Sequence, residues 1–196
     1  MDLQKQLSKL LLLNEGHFTA SDALKYGIDQ RKLQQLISEG VVERVAHGLY
    51  VGIEYFADPF TLLQHRAKKS VFSHLTALYL HGFSTRDPLI FMMTIASGDA
   101  TSLRKEKNVR IYYNNETLFN LGLENIKTPS GTTVRAFNIE RTLCDCIKYM
   151  HKLDSDLVLT GLKDYLSSSQ RNSIKMIEYA TALGIREKIV RYLEVL

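Results

Sequence analysis

The chain has 196 residues, of which 45% are hydrophobic, 23% charged and 9% aromatic, and this composition excludes a disordered, collagenous or disulfide-scaffold protein. Lys and Arg outnumber Asp and Glu by 25 to 21, a net charge of +4 that permits nucleic-acid binding without indicating it. Cys144 and Cys146 stand two positions apart with no second cluster to complete a zinc site, so they read as reduced, partly buried thiols of the cytosol. The run Leu10–Leu13 is too short for an export signal or for a span of about 18 apolar residues, so the expectation is a soluble, cytoplasmic protein.

Residues 2–13 predict a helix, with Leu3, Leu7, Leu10 and Leu11 on one stripe. Thr19 or Ser21 caps a second helix ending at Tyr26, Gly27 makes a tight turn, and Asp29 caps a third helix from Gln30 to Glu39. Leu33, Leu36 and Ile37 form its apolar face. Val41–Val45 and Leu49–Gly52 flank Ala46-His47-Gly48, which predicts a hairpin. Three short helices followed by a hairpin make a winged helix-turn-helix over residues 1–52.

Residues 53–196 predict a larger α+β domain, with a small sheet followed by a helical C-terminus. Helices are expected over about 59–69 and 73–81, the first with Pro59 at its opening position. Strands are expected over Leu89–Ile95 and Val109–Tyr113, and a hairpin around Pro129-Ser130-Gly131. Helices follow over about 138–150, 154–168, 171–183 and 186–195.

The chain contains no Gly-rich phosphate loop, no His-Glu-x-x-His and no Gly-x-Ser-x-Gly, so no enzyme, cofactor or metal site is expected. His74 and His81 have no carboxylate at matching spacing and read as helix or interface histidines. A metal-dependent nuclease needs acids on adjacent strand ends. Only Asp87, before the first long strand, and Asp99, in the loop after it, are available. Arg141 and Asp145 read either as an ion pair at a helix start capped by Asn138 or as part of a polar groove that contacts a partner or nucleotide.

In a helix-turn-helix the third helix enters the major groove, where Gln30, Arg31, Gln34 and Gln35 suit base edges. Lys32 and Ser38 suit phosphates, and Arg44 and His47 of the hairpin suit the adjacent minor groove or backbone. Residues 1–52 carry six basic and six acidic side chains, so this module is formally neutral. Residues 53–110 carry eight against five, and Arg104, Lys105, Lys107 and Arg110 form the densest positive run. That run reads either as a solvated loop or as a contact to phosphate or to a partner.

The order Gly16-His-Phe-Thr19, Tyr26-Gly27-Ile28, Leu36-Ile37-Ser-Glu-Gly40 and Val45-Ala-His-Gly48-Leu-Tyr50 resembles the AbiEi family of antitoxins from abortive-infection toxin–antitoxin systems. Ser73-His-Leu-Thr-Ala-Leu-Tyr-Leu-His-Gly82 and Ile139-Glu-Arg141-Thr-Leu-Cys-Asp145 extend that resemblance. It implies an N-terminal winged helix that binds double-stranded DNA at inverted repeats of its own promoter; separately, a formally neutral reader gains from two copies pairing on the DNA, by effective concentration. It also implies a C-terminal domain that counteracts a cognate nucleotidyltransferase-like toxin, functionally and without requiring a stable complex; no membrane partner is expected, for want of a long apolar run. The alternative is a stand-alone winged-helix regulator whose C-terminal domain senses a ligand or dimerises.

Overall fold

A computed structural model describes residues 2–195, a mixed α+β chain with two small sheets and a helical C-terminal end. It divides into two compact units. The first runs to Arg66 and adds Lys127–Thr133; the second comprises Ala67–Ile126 and the chain from Val134 onward.

In the first unit, α1 (Leu3–Leu13) is followed by β1 (His17–Thr19), α2 (Ala20–Lys25), α3 (Gln30–Ser38), β2 (Val42–Ala46) and β3 (Leu49–Gly52). The three helices and the hairpin fall where the periodicities put them. Strand β1 was not predicted. It pairs antiparallel with β3, Phe18 opposite Tyr50, and makes a sheet of order β1-β3-β2. Three residues are too few to show an alternating pattern, and their pairing partner lies 30 residues away in sequence.

Local chemistry sets the helix ends. Thr19 and Asp22 form a reciprocal capping box on α2. Gly27, at φ +76°, lets the chain reverse into α3; an added Cβ there would stand 2.7 Å from the Gln6 side-chain amide. The Asp29 carboxylate accepts from Lys32 N–H at 2.9 Å and opens α3. Leu7, Leu10, Phe18, Ala23, Ile28, Leu33, Leu36, Val42 and Tyr50 then close into one core. Each buried leucine contributes about 2 kcal/mol from area alone.

The expected boundary after residue 52 lies inside this unit. The reason is Asp58, 2% exposed, which opens α4 (Pro59–Arg66). Its N–H donates to His17 Nε2 at 2.9 Å, and its carboxylate accepts from the Thr61 and Thr132 hydroxyls at 2.6 and 2.8 Å. Asp58 thereby holds both α4 and the 127–133 turn.

The second unit contains a five-stranded sheet of order β6-β5-β4-β8-β7: β4 (Val71–Phe72), β5 (Phe91–Ala96), β6 (Val109–Asn114), β7 (Leu123–Lys127) and β8 (Thr133–Phe137). Strand β5 pairs in parallel with β6, Met93 beside Ile111, and antiparallel with β4. Phe91–Ile95 is buried as its apolar run predicts, whereas Leu89 is 78% exposed and precedes the strand. Helices α5 (His74–Leu80), α6 (Glu116–Phe119), α7 (Ile139–Lys148), α8 (Ser155–Ser167), α9 (Ser173–Ala182) and α10 (Arg186–Val195) complete the unit. Leu78, Leu143, Ile147, Val158, Leu162, Tyr165, Met176 and Ile189 join α5 and α7–α10 in one core. Among the described residues, no helix is long and apolar enough to cross a membrane.

Helix α7 is capped by Asn138, which accepts from Arg141 N–H at 3.1 Å, as expected. Arg141 and Asp145 are 0% and 2% exposed and pair at 3.0 Å. They are therefore a buried pair and not the lining of an open groove. The Arg141 guanidinium also donates to the Leu118 and Leu121 carbonyls at 2.6 and 3.0 Å and lies 4.4 Å from the Phe137 ring centroid. Burial pushes the Asp145 carboxyl up to about 6, against the pull of Arg141, so it is ionised at pH 7. Asp145→Ala leaves a buried cation unpaired and is expected to cost about 3–5 kcal/mol in urea unfolding. The double variant Arg141→Met, Asp145→Leu is expected to recover most of that loss. A double variant no more stable than the single one would show that the lost contacts, and not the unpaired charge, dominate.

Candidate nucleic-acid interface

Five of the six residues assigned to α3 share one exposed face. At 100° per residue, Gln30, Arg31, Gln34, Gln35 and Ser38 fall within about 140° of one another, opposite Leu33 and Leu36. Gln30, Arg31 and Gln34 make no side-chain hydrogen bond or ion pair among the described residues, so their polar groups are available to a ligand. Gln35 is committed in part, donating to Glu39 at 2.8 Å, and the Ser38 hydroxyl donates to the Gln35 carbonyl at 2.7 Å. Lys32 stands on the flank, half-buried, and its ammonium donates to the Gly27 carbonyl at 2.7 Å. It secures the turn before α3, and Arg31 is left as the unpaired cation of the face.

The β2–β3 hairpin exposes Arg44 and His47 beside each other. An Arg44 terminal nitrogen lies 2.9 Å from His47 Nδ1, and Arg44 Nε donates to the Ala46 carbonyl at 3.4 Å. A register shift between Arg44 and Ala46 bends the strand here. His65 of α4 hydrogen-bonds the His47 carbonyl at 2.9 Å and ties down the tip. That anchor was not foreseen, because His65 lies in a segment whose helical pattern carries no sign of its target. The 127–133 turn is a second unforeseen member of this unit, with exposed Lys127 near Glu15 at 3.9 Å. Its turn signal was legible; its docking was not.

In the second unit Arg104, Lys105, Lys107 and Arg110 are all exposed, but they do not form one patch. Arg104 and Lys105 lie on a 3-10 turn, with Arg104 5.6 Å from the Tyr113 ring centroid. Arg110 lies in β6, where alternation sends it to the face opposite Tyr113, and it donates to the Lys152 carbonyl at 3.2 Å. The strand therefore splits the run between its two sides.

The remaining residues singled out in the sequence are structural or solitary. Cys144 and Cys146 are free thiols and fully buried, more so than expected, and burial raises the pKa of both. His81 hydrogen-bonds the Phe137 carbonyl at 2.8 Å. Asp87 accepts from Tyr79 and raises its pKa, and Asp99 pairs with Lys69 at 2.8 Å. His74 is different. It is 1% exposed, sits at φ +51°, and stacks on Tyr112 with ring centroids 3.7 Å apart. Burial, reinforced by Arg141 and Arg110, pushes its pKa down to about 3.

No family model matches the chain, and no curated protein is similar to it.

The depressed His74 value sets a pH dependence. The folded state refuses a proton that the unfolded state takes up, so this contribution is whole above pH 6.5 and is lost as pH falls toward 3. Asp145 acts oppositely: its raised value makes stability fall as pH rises from 3.8 to about 6. His74→Asn, which tolerates the left-handed backbone, is expected to flatten the acid limb of stability between pH 6.5 and 3, measured by urea unfolding. An unaltered slope in that variant would remove His74 from the acid response.

Proposed function

We propose that this chain is an antitoxin that represses its own operon and counteracts a nucleotidyltransferase-like toxin, with a winged helix-turn-helix as its DNA reader. The observation that carries the DNA-reading part is the exposed face of α3, where the side chains of Gln30, Arg31 and Gln34 have no hydrogen-bond or ion-pair partner among the described residues. The element order α1-β1-α2-α3-β2-β3, with its three-stranded antiparallel sheet, agrees with a winged helix. Glutamine offers adenine two hydrogen bonds, and arginine offers guanine two. One unpaired arginine supplies little phosphate affinity, so binding as two copies on inverted repeats raises the effective concentration of the second reader. The antitoxin part rests on the resemblance carried by Ser73–Gly82 and Ile139–Asp145.

Fluorescence anisotropy with the chain's own promoter tests the reader. Arg31→Ala with Gln34→Ala is expected to cost about 1–3 kcal/mol per bidentate contact and to relax sequence preference. Unchanged promoter binding would remove α3 from that role. Co-expression tests the antitoxin part: growth arrest by the neighbouring toxin gene is expected to disappear with the intact chain. If promoter binding holds and growth is not rescued, the chain is a stand-alone regulator.

A further inference from the structure

We propose that the second unit carries a nucleotide-binding site on the face formed by Ser73-His74, β6 and the C-terminal end of α7, where Arg110, Lys148 and Lys152 surround Tyr112 and Tyr149. Three rings meet there. His74 stacks on Tyr112, and Tyr149 meets both edge-on at 5.3 and 5.2 Å. The Lys148 and Lys152 ammonium groups each lie 5.9 Å from the Tyr149 ring centroid, and Arg110 is fastened to the Lys152 carbonyl at 3.2 Å. None of these three cations has an ion-pair partner among the described residues, whereas Lys25, Lys69, Arg86, Arg141 and Lys175 all do.

The buried side of the cluster points to a ligand independently. Thr94 Oγ1 donates to Ser73 Oγ at 2.9 Å, and Ser73 Oγ is hydrogen-bonded to His74 Nδ1, also at 2.9 Å. Ser73 Oγ satisfies Nδ1 in either tautomer of the neutral ring, so Nε2 is the ring atom left over. Nε2 is buried with no hydrogen-bond partner among the described residues, and the Tyr112 hydroxyl is met only by Arg110, outside good hydrogen-bond geometry. A buried polar atom left unpaired costs about 1–3 kcal/mol. The left-handed backbone of His74 adds strain that its fixed surroundings must hold in place.

Three cations without an ion-pair partner call for an acceptor-rich anion, the unpaired ring nitrogen marks a polar contact left open, and half-exposed tyrosine calls for a planar ring. A nucleotide supplies both, its phosphates to Arg110, Lys148 and Lys152 and its base to the Tyr149 edge of the cluster. This inference does not depend on the DNA-reading face, which lies in the other unit.

Isothermal titration of the full chain with ATP, AMP and inorganic pyrophosphate tests it. ATP is expected to bind saturably and more tightly than pyrophosphate. Arg110→Ala with Lys152→Ala, both exposed and harmless to the core, is expected to weaken ATP about tenfold or more, as for loss of about 1.4 kcal/mol. Tyr149→Ala is expected to weaken ATP but not pyrophosphate, and Lys163→Ala on the exposed side of α8 to change nothing. No saturable binding at millimolar nucleotide would overturn the proposal, as would full affinity in the Arg110/Lys152 variant. Equal affinity for ATP and pyrophosphate would overturn its ring component. A short single-stranded oligonucleotide that competes with ATP supports a strand end as the source of the nucleotide, and failure to compete supports the free compound. Loss of duplex-promoter binding in the Arg110/Lys152 variant, without any ATP binding, would overturn the proposal in favour of duplex DNA.

Discussion

The second unit is organised around a guanidinium that water does not reach. Removing a cation from water costs several kcal/mol, and that cost is offset only when every N–H has an acceptor in good geometry. Arg141 finds its acceptors in Asp145 one helical turn on, in two carbonyls of the 118–121 turn, and in Asn114 at the end of β6, whose amide oxygen accepts at 2.9 Å when turned toward it. The face of Phe137 in β8 completes the shell. Helix α7, the edge strand and the turn between them must therefore all be in place before the charge is satisfied. Gly122 permits the approach: at φ +78° it lies where an added Cβ would be 2.9 Å from Arg141 Cβ. Burial keeps His74 neutral and the same charge reinforces it, so the pair that holds the unit together also bears on the protonation of a strained, buried histidine.

The first unit depends less on charge and more on caps and a small apolar core. Its exposed α3 face is polar with Arg31 as its cation, while Lys32 on the flank is turned to the Gly27 carbonyl and Arg44 of the hairpin is folded against His47 and the Ala46 carbonyl. A surface of this kind offers hydrogen bonds that discriminate between partners and little long-range attraction. Its geometry is stiff where it matters, because Asp29, Gly27 and the Leu33–Leu36 stripe leave α3 few ways to shift.

Elements with a strong local signature were legible in the sequence: α3 from its cap, stripe and terminal glycine, β5 from its apolar run, and α7 from Asn138. What stayed hidden was set by distant partners. Strand β1 exists because β3 accepts it, and β4 is two residues held between β5 and β8. Asp58 has the composition of an ordinary helix cap before Pro59, yet its contacts to His17 and Thr132 move the boundary from residue 52 to Arg66. For the candidate sites, the residue types on α3 could be read from spacing alone, but the commitment of Lys32 to a carbonyl could not. His74 was visible only as a histidine without a carboxylate nearby. Nothing in its neighbourhood along the chain marks the left-handed backbone or the stack on Tyr112, 38 positions later.

The net charge of +4 takes on a different meaning once it is divided between the two compact units. The first unit, with Lys127 included, carries eight basic and eight acidic residues; the second carries seventeen and thirteen. The whole excess thus belongs to the unit that does not contain α3. Within that unit the densest basic run is divided by strand alternation, Arg104 going with Tyr113 and Arg110 with the opposite face. Cations separated in this way cannot act as one electrostatic stripe along a duplex. They act locally, Arg104 beside the Tyr113 ring and Arg110 against the Lys152 carbonyl on the other face. Density of charge along the chain and density of charge in space are different quantities here, and the pleat of a single edge strand is what separates them.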